Sequence, residues 1–508
     1  MKTLFFLPAI FLISASLFAL DSAKDKNARL KEMGAMVEND PKFPPVVSFT
    51  LKNGLKILLL EKHFVPTVSF TMMFRVGNVD NPSGKTGLAH LFEHMAFKGT
   101  KTINTSNYEN EKIILNDIEK TAKELIAEES KTRPDGQKIK ELTEKLSGLE
   151  KKADQYIVRE EYWKIYSELG ESGMNAMTSP DYTGYVVSLP SNRLHAWFII
   201  EADRFRNPVM REFYRERNVV MEERRQNESD PNRVVWETLF SHAFDAHPYR
   251  NPTIGWMDDL RKLTRTDAEE FFSTFYSPCN ATLAIVGDID PEETIRLAKR
   301  YFEDIPQKKL PQTNYTIEPD QNSEKKITVF FKAKPALRMG FHNPGIKNED
   351  MPGIIILSEL FSSGKTGRFY KNLVDGKQIA LYANSYHSTP GNRFPSLFVI
   401  SAAPKAPHTL EELESAVIEE IEKVKKESPA AWEMEKIINN YEADLIKQLE
   451  SNSGLGMSLA YGQQILEDWK YDWEILEQIK KLKPEDISKV CAKYLTRANR
   501  TLVFLKEE

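Results

Sequence analysis

Cysteine is almost absent from this chain: its 508 residues include two, Cys279 and Cys491. Two thiols cannot make a disulfide framework for a chain of this size, and both are expected to be buried apolar fillers. An excess of charge of one sign is also missing. The formal net charge of −5 gives no reason to expect nucleic acid or an anionic membrane as partner. Beyond Lys24 no segment approaches the roughly 18 apolar residues that a membrane span requires. Histidine is scarce, at nine residues, so the places where two fall together carry information.

The one long apolar run stands at the N-terminus, from Leu4 to Leu20, relieved by Pro8, Ser14 and Ser16. A basic start at Lys2, a short apolar core and a small residue at Ala19 fit a secretory signal peptide, here placed at 1–20. No cysteine lies nearby to carry a lipid anchor. The mature protein is expected to be soluble and exported, periplasmic or secreted. Hydrophobic residues at 41% and charged residues at 28% describe an ordinary globular composition, and the length suggests two or more domains.

A degenerate repeat organises the chain. Lys262, Leu263, Asp267, Asn280, Thr282 and Leu283 recur as Lys481, Leu482, Asp486, Asn499, Thr501 and Leu502, each pair 219 residues apart. Each copy reads as a helix capped by the aspartate and followed by a strand, Ala281 to Val286 and Thr501 to Leu505. The first half opens with a hairpin, Val46 to Lys52 and Leu55 to Leu60 about Asn53-Gly54, followed by a strand from Thr67 to Val76. The second opens similarly, with Lys326 to Phe331 and Leu337 to Phe341. Antiparallel strand pairs separated by amphipathic helices give an α+β fold: two homologous α/β sandwich domains from an internal duplication, each an antiparallel sheet packed with helices. The expected boundaries are 45–303 and 326–508, joined by a Pro- and Gln-containing linker at 304–325. Within the first half, about 108–168 reads as an inserted helical hairpin broken at Pro134-Asp135-Gly136. It fits a solvated arm packed on its own domain, with a lid over the site or a docking arm as the other uses.

The pattern richest in chemistry is His90-Leu91-Phe92-Glu93-His94. On a helix, residues four apart share a face, so His90 and His94 can hold one Zn²⁺ while Glu93 takes a proton from a metal-activated water. The flanks, Gly87-Leu88-Ala89 and Met95-Ala96-Phe97, are apolar. A mostly buried helix does not carry unpaired histidine and glutamate cheaply. A catalytic zinc needs a third protein ligand. The charged segment Arg215 to Arg225 offers Glu216, Glu222 and Glu223, and spacing alone does not choose among them.

These segments, with Met174-Asn175-Ala176-Met177-Thr178-Ser179-Pro180-Asp181-Tyr182-Thr183, His247-Pro248-Tyr249 and Tyr276-x-Pro278-x-Asn280-Ala281-Thr282, resemble the pitrilysin/insulinase family of inverted-motif zinc peptidases. The likeness runs from about Val46 to the C-terminus. It is similar to the metal-bearing subunit of bacterial two-subunit members and to the mitochondrial processing peptidase beta subunit. The resemblance implies Glu93 as catalytic base, one Zn²⁺ per chain on His90, His94 and Glu223, and Glu216 as the carboxylate behind the ligands that orients the site. It further implies that Asn175, Ala176, Met177 and Thr178 form an edge strand that binds substrate by main-chain hydrogen bonds. Glu223 lies farther from His94 than is usual in the family, and the inserted hairpin accounts for the excess.

The chain also departs from the pattern. Where many members carry an Arg and a Tyr that grip substrate, it has Val374 and Leu381, with Tyr382 one position late. The second half lacks its own H-x-x-E-H. The resemblance therefore implies a zinc metalloendopeptidase completed by a homologous partner subunit carrying that pair, or a homodimer working without it. The contrasting expectation is a non-catalytic structural or assembly subunit, a role that family relatives fill after losing the motif residues retained here.

Overall fold

The computed structural model describes residues 25–40, 43–311 and 315–508. The expected signal segment at 1–20 lies outside the described residues. The first half builds a seven-stranded sheet from β1 (Met36–Asp40), β2 (Phe43–Thr50), β3 (Lys56–Glu61), β4 (Thr67–Phe74), β5 (Ser172–Thr178), β6 (Thr183–Pro190) and β7 (Ala281–Gly287), in the order β1-β2-β3-β7-β4-β6-β5. The second half builds a five-stranded sheet from β8 (Lys325–Phe331), β9 (Ala336–Asn343), β10 (Ala380–Thr389), β11 (Ser396–Pro404) and β12 (Arg500–Glu507), in the order β10-β11-β9-β12-β8.

The two orders are one topology. Taken from its other edge, the second sheet runs β8-β12-β9-β11-β10 and matches β3-β7-β4-β6-β5 strand for strand. Thr282 pairs with Lys56 on β3 and Thr501 pairs with Lys325 on β8, so the 219-residue spacing is also a register equivalence. Each sheet contains a parallel pair, β3 with β7 and β8 with β12, where only antiparallel pairing was expected. The reason is topological. The last strand of each half returns after a series of helices and inserts between two earlier ones, β7 between β3 and β4 and β12 between β8 and β9, so β8 and β9 do not form a hairpin. The β1–β2 hairpin has no counterpart in the second half.

Local sequence explains the turns and caps. Between β2 and β3 the loop is longer than a two-residue turn, because the Asn53 side chain turns inward and donates to the carbonyls of Phe302 (2.7 Å) and Ile305 (3.0 Å). Gly54 has φ +87°, and a Cβ there would stand 2.7 Å from Cβ of Cys279. Asp267 and Asp486 lie three residues inside their helices and not at the caps. Each carboxylate accepts the backbone N–H of the capping residue, Thr264 at 2.8 Å and Lys483 at 3.0 Å. Cys491 is buried as expected, whereas Cys279 is only half-buried, because its thiol sits at the protein surface beside the Lys308 carbonyl.

Each sheet has two apolar faces, and its own helices cover one. In the first half Trp197 stacks on Phe70 with ring centroids 4.2 Å apart, at the centre of the larger core. The other face of each sheet is covered by a helix from the opposite half. Asn452–Tyr461 lays Leu455, Leu459 and Ala460 over Leu58, Leu60, Met73 and Val286 of the first sheet. Reciprocally, Pro231–Ala243 lays Val235, Leu239 and Ala243 over Leu397, Val399, Val503 and Leu505 of the second. The segment expected at about 108–168 forms two long helices, Tyr108–Glu129 and Gly136–Ala153, packed on each other, and takes in most of a third and shorter one, Glu161–Leu169, not expected from the sequence. It is anchored to its own half by a fully buried Glu111–Arg211 pair at 2.9 Å and by Tyr214, whose hydroxyl donates to Glu119. Between the halves, the chain from Gln307 to Glu324 has no helix or strand among its described residues. It is tied down all the same: Glu318 accepts the backbone N–H groups of Asp245, Ala246 and His247. No helix among the described residues is long and apolar enough to cross a membrane.

The reciprocal packing predicts a shared stability. Leu239→Ala empties a fully buried site between the halves and is expected to cost about 2–5 kcal/mol. Urea unfolding followed by tryptophan fluorescence and by circular dichroism should show both halves lost in one common transition at lower denaturant.

Candidate metal centre

The helix Leu88–Met95 buries Leu88, Ala89, Leu91, Phe92 and Met95 and leaves His90, Glu93 and His94 half-buried on its remaining face. Its start is demanding. Gly87 has φ +84°, and a Cβ there would come within 2.3 Å of the Ile254 carbonyl. Asn81 then caps the first turn by accepting the backbone N–H of Ala89 at 3.0 Å. The second helix of the site, Phe213–Ser229, crosses beside it and presents Glu216 and Glu223, two turns apart, on the facing side.

Glu223 Oε2 lies 3.8 Å from His90 Nε2 and 3.9 Å from His94 Nε2. Two imidazole nitrogens and a carboxylate oxygen around a tetrahedral zinc stand about 3.4 Å apart, so each of these two separations exceeds that spacing by only a few tenths of an ångström. Two neutral imidazoles and one carboxylate form a borderline-soft donor set that fits Zn²⁺. Among the described residues this is the single cluster of three such donors, within 4.8 Å of one another. Glu222, one of the three acidic candidates, points away into solvent and pairs with Arg225 at 2.6 Å.

The surroundings set the charge states. Burial, reinforced by His94, pushes the His90 imidazole down to about 4, so it is neutral and free to ligate at neutral pH. Glu216 faces His94 Nδ1 at 3.5 Å and raises that imidazole despite its burial. Such a carboxylate fixes the tautomer that leaves Nε2 free for a metal. Burial would raise Glu216 itself, but His94 and Lys98 outweigh it and hold the carboxyl below the usual range. Burial lifts the Glu93 carboxyl above its usual range, opposed by Thr178 and His94 and reinforced by Glu223. A carboxylate so raised is better matched to proton transfer near neutral pH than a solvent-exposed one.

β5 is the outermost strand of the first sheet, so one side of it is unpaired. Asn175, Ala176, Met177 and Thr178 pair inward with Val186, Tyr185, Gly184 and Thr183. Beside them opens a cavity of about 530 Å³ that Glu93, His94, Asn175 and Ala176 line together with Phe97 and Trp163. Phe97 and Trp163 stack at 4.9 Å and form an aromatic wall that the sequence did not disclose, since 66 positions separate them. Lys98, Arg211 and Glu111 also join the site without forewarning. Of the residues that stand where a gripping Arg and Tyr are missing, Val374 lies in a wide helical turn, Tyr370–Gly376, against the second core, and Leu381 is exposed.

Comparison with known proteins finds peptidase relatives. A family profile described as "Insulinase (Peptidase family M16)" matches residues 56–116 and 122–256, and one described as "Peptidase M16 inactive domain" matches 262–441. The chain is 26% identical over 486 residues to the zinc protease PqqE of Helicobacter pylori, covering 94% of this chain and 96% of that protein. Over 261 residues it is 23% identical to a probable mitochondrial-processing peptidase subunit beta of Schizosaccharomyces pombe, covering 51% and 45% of the two chains. A solved protease from Helicobacter pylori superposes with a TM-score of 0.75 at 27% identity, covering 91% of this chain and all of that one.

The charge states make a prediction for the metal-free protein. As pH falls, His94 should take its proton first, above the usual imidazole range, and His90 last, near pH 4. Ring-nitrogen NMR shifts of the two histidines would display the order.

Proposed function

The chain belongs to the insulinase family of peptidases, family M16, and from that premise we propose that it is an exported zinc metalloendopeptidase hydrolysing peptides or small unfolded polypeptides. The observation that carries this reading is the convergence of His90, His94 and Glu223 within 4.8 Å, with Glu93 beside them, next to an unpaired sheet edge. His90 and His94 through Nε2 and Glu223 through Oε2 would hold one Zn²⁺. Bound there, the ion would polarise the scissile carbonyl and acidify a water. Glu93 accepts the proton of the attacking water at its carboxylate and returns it to the leaving amine. Glu216 holds His94 in orientation through Nδ1. The edge Asn175–Thr178 takes the substrate as an added strand, so affinity rests on main-chain hydrogen bonds and depends little on side-chain identity.

In this reading the unit 45–303 carries the chemistry and the unit 326–508 is inactive. The helix Met351–Ser362, which follows β9 as Leu88–Met95 follows β4, reads MPGIIILSELFS and offers no histidine. Export rests on the apolar leader from Leu4 to Leu20. With Val374 and Leu381 where a gripping Arg and Tyr would stand, the active species is a heterodimer with a homologous subunit, or a homodimer. The match of 262–441 to an inactive-domain profile favours a second reading, a non-catalytic subunit of a peptidase-like complex. Retention of all four residues His90, Glu93, His94 and Glu223 argues against it.

Glu93→Gln should retain zinc and lose peptide cleavage, whereas His90→Ala and Glu223→Ala should lose both. Metal analysis of the purified proteins, with cleavage assays before and after chelation, separates these outcomes. Full cleavage by Glu93→Gln would refute the assignment. Strong activity of the wild-type chain as a lone monomer in size-exclusion fractions would refute the requirement for a partner.

A further inference from the structure

Lys98 stands four residues beyond His94, just past the end of the ligand-bearing helix, and the proposed chemistry makes no use of it. Its ammonium reaches Glu216 Oε1 at 2.5 Å and Glu212 Oε2 at 3.3 Å. The two oxygens of Glu216 are thereby divided: Oε1 faces Lys98, and Oε2 faces His94 Nδ1 at 3.5 Å. Glu212 and Glu216 sit four residues apart at the start of the helix Phe213–Ser229, a spacing at which two carboxylates repel. Lys98 lies between them and, with Arg215 on Glu212 at 3.3 Å, offsets that repulsion.

The backbone that carries Lys98 is itself fixed. Arg211, fully buried, donates from Nη1 to the carbonyls of Lys98 (2.5 Å) and Ile103 (3.2 Å), and from Nη2 to that of Thr100 (2.7 Å). Its charge is balanced by Glu111 of the inserted hairpin, also fully buried. Val209 adds a main-chain hydrogen bond to Gly99 at 3.2 Å. The segments 98–103 and 208–216 are thus stitched together at several points, the first just after the helix Leu88–Met95 and the second running into Phe213–Ser229.

An exposed lysine–glutamate pair is worth little, about 0–1 kcal/mol. Here Lys98, Glu212 and Glu216 are all about one-fifth exposed, and their backbone is clamped, so little side-chain entropy opposes the contact. We propose that Lys98 is a positioning residue of the metal centre. It struts the two donor-bearing helices and aims Glu216 at His94, and the inserted hairpin buttresses it through Glu111 and Arg211. The proposal rests on the zinc reading of the preceding section. Through Glu111 the inserted segment holds the metal centre from behind, and its far end, at Trp163, lines the cavity beside it.

Zinc affinity, measured by competition with a chromogenic chelator in Lys98→Met and Lys98→Arg, tests this beside the thermal midpoint of each metal-free protein. Loss of a partner behind a metal ligand costs about 10–100-fold in metal affinity. Lys98→Met should lose affinity in that range with only a small fall in its metal-free midpoint, and Lys98→Arg should recover most of the affinity. Wild-type affinity in Lys98→Met would overturn the proposal. So would an equal loss in both variants with lowered metal-free midpoints, which would make Lys98 a packing residue. Wild-type protein that takes up no zinc would instead overturn the metallopeptidase reading, and this proposal with it.

Discussion

A sheet with two apolar faces needs two covering layers, and neither half of this protein supplies both from its own helices. The shortage is met by exchange. The helix Pro231–Ala243 leaves the first half to cover β9 and β12, and Asn452–Tyr461 leaves the second to cover β4 and β7. The sites are equivalent under the duplication, since β12 corresponds to β7 and β9 to β4. Burial of several leucine- and valine-sized side chains on each side, at about 1.5–3 kcal/mol apiece, makes separation of the halves costly. The polar contacts at the same junction are then a matter of register. Arg393 of the second half bonds Asp80 at 2.8 Å, and Asp181 accepts from Tyr249 and from the backbone of Asn392 and Arg393. Asp80 and Asp181 flank the β4–helix turn and the end of β5, so the exchange that closes the fold also fixes the surroundings of the candidate metal centre.

The centre concentrates charge where water is scarce, and it does so in balanced steps. Burial disfavours the charged forms of His90, Glu93, His94 and Glu216, and it prevails in raising Glu93 and lowering His90. Against that background each remaining charge is answered: Glu216 by Lys98 and His94, and Glu111 by Arg211. Glu93 is the exception, since Thr178 and His94 offset its burial only in part. A carboxylate left under-compensated is poorly suited to structure and well suited to accepting a proton, which is how Glu93 differs from Glu216 although both are half-buried glutamates.

The sequence made some of this legible and hid the rest for physical reasons. His90, Glu93 and His94 share one helix, so their geometry follows from a 3.6-residue period. Glu216 and Glu223 also share a helix, but which of them would meet the histidines depends on how two helices cross, and the residues alone left that open. The duplication was visible as a spacing of 219 residues, because it preserves register along a strand. The parallel pairs β3–β7 and β8–β12 were invisible, because strand order is set by the return of the chain and not by any local pattern. The helical hairpin announced itself by periodicity and by Pro134-Asp135-Gly136, while its anchor, Glu111 to Arg211, spans 100 positions and had no local mark. The exchanged helices were equally unreadable, since an amphipathic stripe does not say which sheet it will cover.

The exchange also bears on what the second half can contribute to substrate. The face of its sheet turned toward the first half carries an arginine and a tyrosine in contact, Arg338 and Tyr382. Both are already engaged. Arg338 is buried, donates to Asn232 and to the Tyr382 hydroxyl, and lies over the Trp236 ring at 5.2 Å. Asn232 and Trp236 belong to the exchanged helix, so this arginine and tyrosine serve to seat it. Releasing them toward a peptide would strip a buried guanidinium of its partners, at a cost of the order of 3–5 kcal/mol. Leu381, which does face outward, has no hydrogen to donate to a developing oxyanion. The same helix exchange that secures the fold therefore commits Arg338 and Tyr382 of the second sheet to seating the exchanged helix.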